Sequence, residues 1–213
     1  MDKILVIGTG GLSREFTSWF KESFEIVGYS SKEKNIHAEF NLPGIFFTEK
    51  VTPDIVGTNL AVICIGNPVI KKRVYYELSQ VGFSFPTFIH HSSEVYAKNL
   101  EDGVIIAPKC VVATNVEIGK LSYLNFSCGV GHDSIIGDFV QINPGSQIGG
   151  GSKIGDQVII GSNAVLLEGV SIGNGATIAS GAVVFSKVLE GVTVMGSPAK
   201  RMPAFDKKLE SNI

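Results

Sequence analysis

His132 is followed directly by Asp133 in the segment VGHDSIIGDF (130–139), and this pair is the strongest candidate for chemistry in the chain. An imidazole titrates near neutral pH and can act as a general base, and a neighbouring carboxylate can orient it and stabilise the imidazolium. Gly150 lies in the centre of a run of three glycines, where a bare backbone can admit a ligand and offer an N–H to developing negative charge. A base beside such a donor is what acyl transfer requires. A solvated histidine and a plain glycine-rich turn are the alternatives.

The turn at 8–11, Gly-Thr-Gly-Gly, is a second candidate site because it joins a strand at 3–8 to a helix that begins at Leu12. Phosphate groups bind helix N-termini after turns of this kind. Ser13 stands where a dinucleotide fingerprint has its third glycine, and Ser30-Ser31 replaces the expected acidic residue, so a nicotinamide cofactor is disfavoured. A turn that needs glycine only for packing is the alternative. The residues expected to bind substrate in this region are Gly8, Gly10, Gly11, Ser30 and Gly66.

The elements that must position His132 follow from an aliphatic residue at every sixth position from Ile106 to Val184, over fourteen consecutive hexads. A fixed short repeat indicates a solenoid whose coils bury their apolar side chains on one another. If three hexads form a coil, residues eighteen apart stack, and Gly150 lies one coil above His132.

A small residue falls four positions after each aliphatic one, so both should point into a narrow prism. Cys110 and Cys128 fall in one such column and are expected to be buried thiols. Glycines that follow the aliphatic position are expected where φ is positive or the backbone is crowded.

Residues 1–88 have a different pattern, in which apolar strands at 3–8, 25–30 and 59–67 alternate with helices. This alternation predicts a parallel sheet with crossover helices. A helix at 68–82 should carry Lys71, Lys72 and Arg73 on a solvated face. The sequence therefore predicts an α/β, Rossmann-like domain at 1–88 and a solenoid domain at 89–213 that ends in a loop and tail.

Composition excludes several classes of protein. A net charge of -2 argues against nucleic-acid binding, which requires a basic surface. No apolar run is long enough to span a membrane, and the N-terminus lacks the features of a signal peptide. Three cysteines without a CxxC pair fit a reducing cytoplasm. A zinc site commonly takes three protein ligands, and one histidine in the repeat cannot supply a three-His set, so we expect no metal.

Three blocks, KILVIGTGG, VGHDSIIGDF and VMGSPAK, resemble the sialic-acid O-acetyltransferase and nucleotide-aminosugar N-acetyltransferase family along the whole chain. The hexads are similar to the left-handed parallel β-helix of hexapeptide-repeat transferases. The resemblance implies a Rossmann-like domain for the nucleotide sugar, a β-helix for acetyl-CoA, and a homotrimer with active sites between subunits. It therefore implies an acetyl-CoA-dependent N-acetyltransferase that acts on a nucleotide-linked amino sugar in bacterial surface-glycan biosynthesis.

By the same resemblance, His132 would be the general base, Asp133 its acidic partner and Asn125 a ligand of the acceptor, with the Gly150 N–H facing the thioester oxygen. The residues expected to border acetyl-CoA are Gly150, Ser162, Ser180, Pro198 and Lys200.

The chain differs from the family pattern at two places. Gln141 stands where a second histidine is common, and Ser30-Ser31 stands where an acidic pair is common. Two other functions stay open: O-acetylation of a free sugar such as sialic acid, and a non-enzymatic trimeric scaffold or ligand-binding protein.

Overall fold

The structure is a computed structural model that describes residues 1–32 and 34–205. The chain divides into two compact units between Pro86 and Thr87. The division expected after residue 88 lies two residues later, because Phe88 already belongs to a strand of the coil. The tail expected beyond residue 205 lies outside the described residues.

The first unit contains a four-stranded parallel sheet with the order β3-β2-β1-β4. Its strands are β1 (Asp2–Ile7), β2 (Phe24–Ser30), β3 (Ile45–Phe47) and β4 (Ala61–Ile63). Its helices are α1 (Gly11–Phe20), α2 (Lys34–Glu39), α3 (Pro53–Val56) and α4 (Pro68–Gln80). The predicted Rossmann-like alternation is confirmed. The strand order reverses between β1 and β4, and ligands of open α/β sheets bind outside the carboxyl ends of strands at such a point.

Helix α4 is capped by Asn67, whose side-chain oxygen accepts hydrogen bonds from the N–H groups of Val69 and Ile70 at 3.0 and 3.1 Å. Pro68 follows, at a position where its missing N–H costs nothing. The predicted solvated face of this helix is wrong for Lys71, which is 1% exposed. Burial lowers the pKa of Lys71 to about 8, against the smaller opposing influence of Cys64.

The second unit is a left-handed parallel β-helix in which strands of two or three residues stack on three faces. Face 1 contains β5 (Phe88–Ile89), β8 (Ile105–Ile106), β11 (Tyr123–Leu124), β14 (Gln141–Ile142), β17 (Ile159–Ile160), β20 (Thr177–Ile178), β22 (Thr193–Met195) and β23 (Lys200–Arg201). Face 2 contains β6 (Glu94–Val95), β9 (Val111–Val112), β12 (Gly129–Val130), β15 (Gln147–Ile148), β18 (Val165–Leu166) and β21 (Val183–Val184). Face 3 contains β7 (Asn99–Leu100), β10 (Glu117–Ile118), β13 (Ile135–Ile136), β16 (Lys153–Ile154) and β19 (Ser171–Ile172). A short 3-10 helix follows at Pro203–Phe205.

The interior of the prism is the hydrophobic core of this unit, and its composition confirms the prediction from the hexads. The aliphatic residues and the small residues four positions later are buried together. Cys110 and Cys128 are free, buried thiols in successive coils. Their sulfur atoms lie 3.1 and 3.2 Å from the carbonyl oxygens of Asn125 and Asn143.

Crowding, rather than positive φ, explains the glycines that directly follow the aliphatic residues. A Cβ at Gly119 would lie 2.6 Å from the carbonyl carbon of Gly137 in the next coil, and one at Gly161 would lie 2.4 Å from the nitrogen of Ser180. Positive φ occurs two residues further on, as at Asn115 (62°) and Asp133 (59°). The coil therefore turns at Asn, Asp and other residues as well as at glycine.

Candidate active site

His132 and Asp133 lie in the turn between β12 on face 2 and β13 on face 3, which we call the His132 corner (131–134). The Nδ1 atom of His132 lies 2.7 Å from Oδ2 of Asp133. The two side chains are 61% and 57% exposed, so a substrate can reach the imidazole. An ionised carboxylate only accepts hydrogen bonds, so Nδ1 is the donor and Nε2 is the atom that can accept a proton.

Gly150 lies directly beside the His132 ring, as the stacking of coils predicts. A Cβ at position 150 would be 2.9 Å from Nε2 of His132, closer than packing allows, so only glycine leaves room for this ring. The Gly150 N–H donates no hydrogen bond within the described residues. A proton acceptor and an unused backbone donor therefore lie at the same corner.

Asp133 has a second partner, which the sequence analysis missed. The side-chain amide of Asn115, one coil earlier, donates to Oδ1 of Asp133 at 3.0 Å. The hydrogen bonds from His132 and then from Asn115 lower the pKa of the Asp133 carboxyl below its ordinary value. The carboxylate is therefore ionised at neutral pH and holds the imidazole in one tautomer.

Asn125 lies at a different corner, the turn between β11 on face 1 and β12 on face 2, which we call the Asn125 corner (125–128). Its side-chain oxygen accepts from the N–H of Phe126 at 2.8 Å. Gln141, on face 1 in the next coil, is 6% exposed and donates from Nε2 to Oδ1 of Asn143 at 3.1 Å. The Oε1 atom of Gln141 accepts no hydrogen bond within the described residues. Buried amide oxygens normally have a donor, so this closed-off oxygen is an unsatisfied acceptor within the described residues.

Ser162 and Ser180 stack above the Asn125 corner in the next coils: the Gly181 N–H donates to the Ser162 carbonyl at 2.8 Å. Lys200 is in β23, which closes face 1. Pro198 lines a cavity of about 310 Å³ at that end of the coil, together with Lys187 and Arg201.

The predicted residues of the coil therefore form two groups. His132, Asp133 and Gly150 lie at one edge of face 2, while Asn125, Ser162 and Ser180 lie at its other edge. Within one chain, the structure does not bring the two groups together.

The first unit has its own cavity, of about 400 Å³, at the carboxyl ends of its parallel strands. Gly8 and Ser30 line it, whereas Gly10, Gly11 and Gly66 are exposed at the same edge of the sheet and do not line it. A Cβ at Gly8, where φ is 109°, would lie 2.9 Å from the Cys64 carbonyl oxygen, so this glycine is required by the fold itself. A Cβ at Gly10 or Gly11 would meet nothing within 4 Å.

Several polar residues of this cavity were missed by sequence reasoning. Lys32, Glu49, Lys50 and Arg73 line it, and Ser31 adjoins Ser30. The Ser31 hydroxyl accepts from Thr9 at 3.2 Å, which joins the end of β2 to the glycine turn. Glu49 and Lys50 follow β3, a strand that the sequence pattern did not predict.

The described residues contain no group of three or more His, Cys, Asp and Glu side chains arranged to hold a metal ion. Within the same ranges, 1–32 and 34–205, no helix is long and apolar enough to cross a membrane.

Comparison with protein families identifies the repeat. Residues 133–168 and 151–186 each match the model described as bacterial transferase hexapeptide (six repeats). This part of the coil is built of hexapeptide repeats. The match begins at Asp133, beside the candidate base, and continues through Gly150 to the late coils.

The chain is similar to the GDP-perosamine N-acetyltransferase of Escherichia coli O157:H7, with 38% identity over 85 residues. The aligned segment spans 39% of this chain and 38% of that relative.

Among solved structures, a mutant GDP-perosamine N-acetyltransferase from Caulobacter crescentus, in complex with CoA and GDP-perosamine, has a TM-score of 0.83 at 21% identity. That similarity covers 95% of this chain and 97% of the other. WeeI from Acinetobacter baumannii AYE has a TM-score of 0.75 at 25% identity, over 95% of this chain and 100% of that one. Both units of the fold thus recur together in other proteins.

Proposed function

We propose that this protein is an acetyl-CoA-dependent N-acetyltransferase that acts on a nucleotide-linked amino sugar in bacterial surface-glycan biosynthesis. The observation that carries the proposal is His132, bonded to Asp133 through Nδ1 and packed by its other nitrogen against the backbone of Gly150. A base, an orienting carboxylate and a backbone donor are the groups that acyl transfer to an amine needs. The similarity to a GDP-perosamine N-acetyltransferase supports the choice of N- over O-acetylation.

The proposed reaction is direct transfer. As the sugar amine attacks the thioester carbonyl carbon, Nε2 of His132 accepts a proton from the amine nitrogen, and Asp133 stabilises the imidazolium. Negative charge develops on the carbonyl oxygen, and the Gly150 N–H can donate to it. The tetrahedral intermediate then collapses: the carbon–sulfur bond breaks, the CoA thiolate leaves and takes back the proton that His132 had accepted, and the product is an amide with neutral His132 restored.

We assign the nucleotide part of the acceptor to the cavity of the first unit. The N–H groups at the start of α1 have no side-chain cap, and the open space at Gly10 and Gly11 lets a phosphate approach them. The same cavity is lined by three cations, Lys32, Lys50 and Arg73, against two acids, Glu49 and Glu77, and so keeps a small excess of positive charge for a phosphate. The complex of the Caulobacter crescentus protein with GDP-perosamine supports a GDP-linked acceptor for this chain.

We assign acetyl-CoA to the Asn125 corner and the coils above it. Ser162 and Ser180 would flank the pantetheine arm, and Pro198 would lie near its end. Lys200 and the cations of the terminal cavity, Lys187 and Arg201, would bind the phosphates. Acetyl-CoA bound at the Asn125 corner needs a general base from outside its own subunit, because His132 of that subunit lies at the opposite edge of face 2.

A homotrimer would meet that need. In a closed ring, each subunit places one edge of face 2 against the other edge of its neighbour, so the His132 corner of one subunit can face the Asn125 corner of the next. Exposed apolar side chains on the coil, among them Val111, Phe126, Leu167 and Phe185, favour burial against another copy. We also propose a cytoplasmic location, since the three cysteines are free thiols.

The experiment is a thiol-release assay with acetyl-CoA and a panel of GDP-linked and UDP-linked 4-amino sugars, with sialic acid included. We expect turnover on a GDP-linked amino sugar and an N-acetyl product by mass spectrometry. Turnover on sialic acid alone would replace the proposal by O-acetylation. No turnover on any member, together with no binding of acetyl-CoA in calorimetry, would support the scaffold alternative.

A further inference from the structure

Asn115 stacks directly below Asp133, one coil earlier in the same column of the β-helix. Both residues have left-handed backbone angles, with φ of 62° and 59°, so both side chains leave equivalent positions of successive corners. The Asn115 amide donates to Oδ1 of Asp133 at 3.0 Å, and Oδ2 of the same carboxylate bonds to His132 at 2.7 Å. The two oxygens of one carboxylate thus have two different partners.

An exposed carboxylate with one partner can rotate about its last bond and exchange that partner for water. Asp133 is 57% exposed, so the protein around it does not prevent this rotation. A second hydrogen bond, on the other oxygen, fixes the plane of the carboxylate and therefore the direction in which the imidazole is held. An amide suits this role because its N–H group donates at every pH and does not titrate.

We propose that Asn115 is a positioning residue that holds Asp133, and through it the His132 base, in the orientation needed for proton transfer. This inference rests on the proposed function of His132. The Asn115 amide makes its hydrogen bond to Asp133, so we expect its effect on the reaction to pass through that carboxylate. Catalytic groups are held in their productive geometry by supporting hydrogen bonds of this kind.

Two variants separate positioning from stability. Asn115→Gly removes the amide and keeps a residue that accepts positive φ without strain. Asn115→Asp removes the donor and adds a negative charge beside Asp133. The matched control is Gln157→Gly, which changes another residue with positive φ (56°) at the corner between faces 3 and 1.

For Asn115→Gly we expect kcat to fall by about 10-fold, with little change in the KM of either substrate. Its thermal midpoint of unfolding should equal that of the Gln157→Gly control. For Asn115→Asp we expect the acidic limb of the kcat/KM profile to move to higher pH, because an added carboxylate favours the protonated imidazole. In a His132→Ala background, Asn115→Gly should cause no further loss.

Wild-type kcat in Asn115→Gly, or an unmoved pH profile in Asn115→Asp, would overturn the inference. An equal loss in the His132→Ala background would also overturn it, because Asn115 would then act independently of the base. If His132 is not the general base, a different result distinguishes that case, because His132→Ala alone would then retain full activity.

Discussion

Gly150→Ala tests whether the reaction requires the imidazole of His132 to lie against the backbone of residue 150, as it does in the structure. The new Cβ would lie 2.9 Å from Nε2, 3.0 Å from Cε1 and 3.2 Å from Cδ2 of His132, and these are its three nearest atoms. Favourable contact between such atoms begins near about 3.5 Å, so the ring must withdraw by about half an ångström or turn away from Asp133. Since a displacement of about 1 Å can cost about 100-fold in rate, we expect kcat/KM to fall by about 10- to 100-fold, or about 1–3 kcal/mol.

The assay is thiol release from acetyl-CoA with the accepted amino sugar, and the control is the thermal midpoint of unfolding. The three atoms nearest the new methyl group all belong to the exposed side chain of His132, so the midpoint should stay within about 4 °C of wild type. The backbone donor at position 150 is retained, so a loss of activity would report the displaced ring. Wild-type kcat/KM, or the same fold loss when Gly150→Ala is added to His132→Ala, would refute the reasoning.

Two of the three further predictions concern packing within a single unit, and the third concerns the proposed homotrimer. Gly137→Ala should lower the free energy of unfolding by about 1–3 kcal/mol in urea titrations, because its Cβ would lie 2.8 Å from the Asp156 nitrogen. Gly175→Asn, at an open position with φ of 64°, should change that free energy little. Equal effects of the two substitutions would contradict crowding as the reason for Gly137. Lys71 has a pKa of about 8 when folded and 10.5 ordinarily, so its burial penalty is complete below pH 8 and is relieved as pH rises towards 10.5. Wild type should therefore gain stability relative to Lys71→Met by about 1 kcal/mol per pH unit above pH 8, and parallel pH dependences would argue against a buried ammonium. Reassembling equal amounts of His132→Ala and Asn125→Ala subunits should restore about a quarter of wild-type activity, because about a quarter of the subunit contacts would pair two intact corners; activity no higher than that of the parents would exclude a shared site.

The coil could be predicted from sequence because each hexad reports the same local environment, and fourteen repeats leave one consistent interpretation. Its interior, its corners and the neighbourhood of His132 and Gly150 follow from counting eighteen residues. The same count leads from Asp133 back to Asn115, so the sequence contained that signal as well.

The first unit was less predictable because its short elements depend on tertiary contacts. Strand β3 has three residues and, within the part of the chain that the structure describes, pairs only with β2, so no periodic pattern reveals it. The cavity residues Glu49 and Lys50 come from the loop after that strand and were missed with it. Lys71 was predicted to lie on a basic, solvent-exposed face of its helix because two more cationic residues follow it. Its burial depends on tertiary packing, which a run of charged residues does not reveal.

The central claim is that His132 is the base of an acetyl transfer. The direct measurement is kcat/KM of wild type and His132→Ala with acetyl-CoA and the accepted nucleotide-linked amino sugar, alongside calorimetric binding of acetyl-CoA to both. The account predicts a loss of about 10²- to 10⁴-fold with acetyl-CoA binding and the thermal midpoint preserved, because the His132 side chain is 61% exposed and lies outside the hydrophobic core of the coil. Activity of His132→Ala within a few-fold of wild type would contradict it.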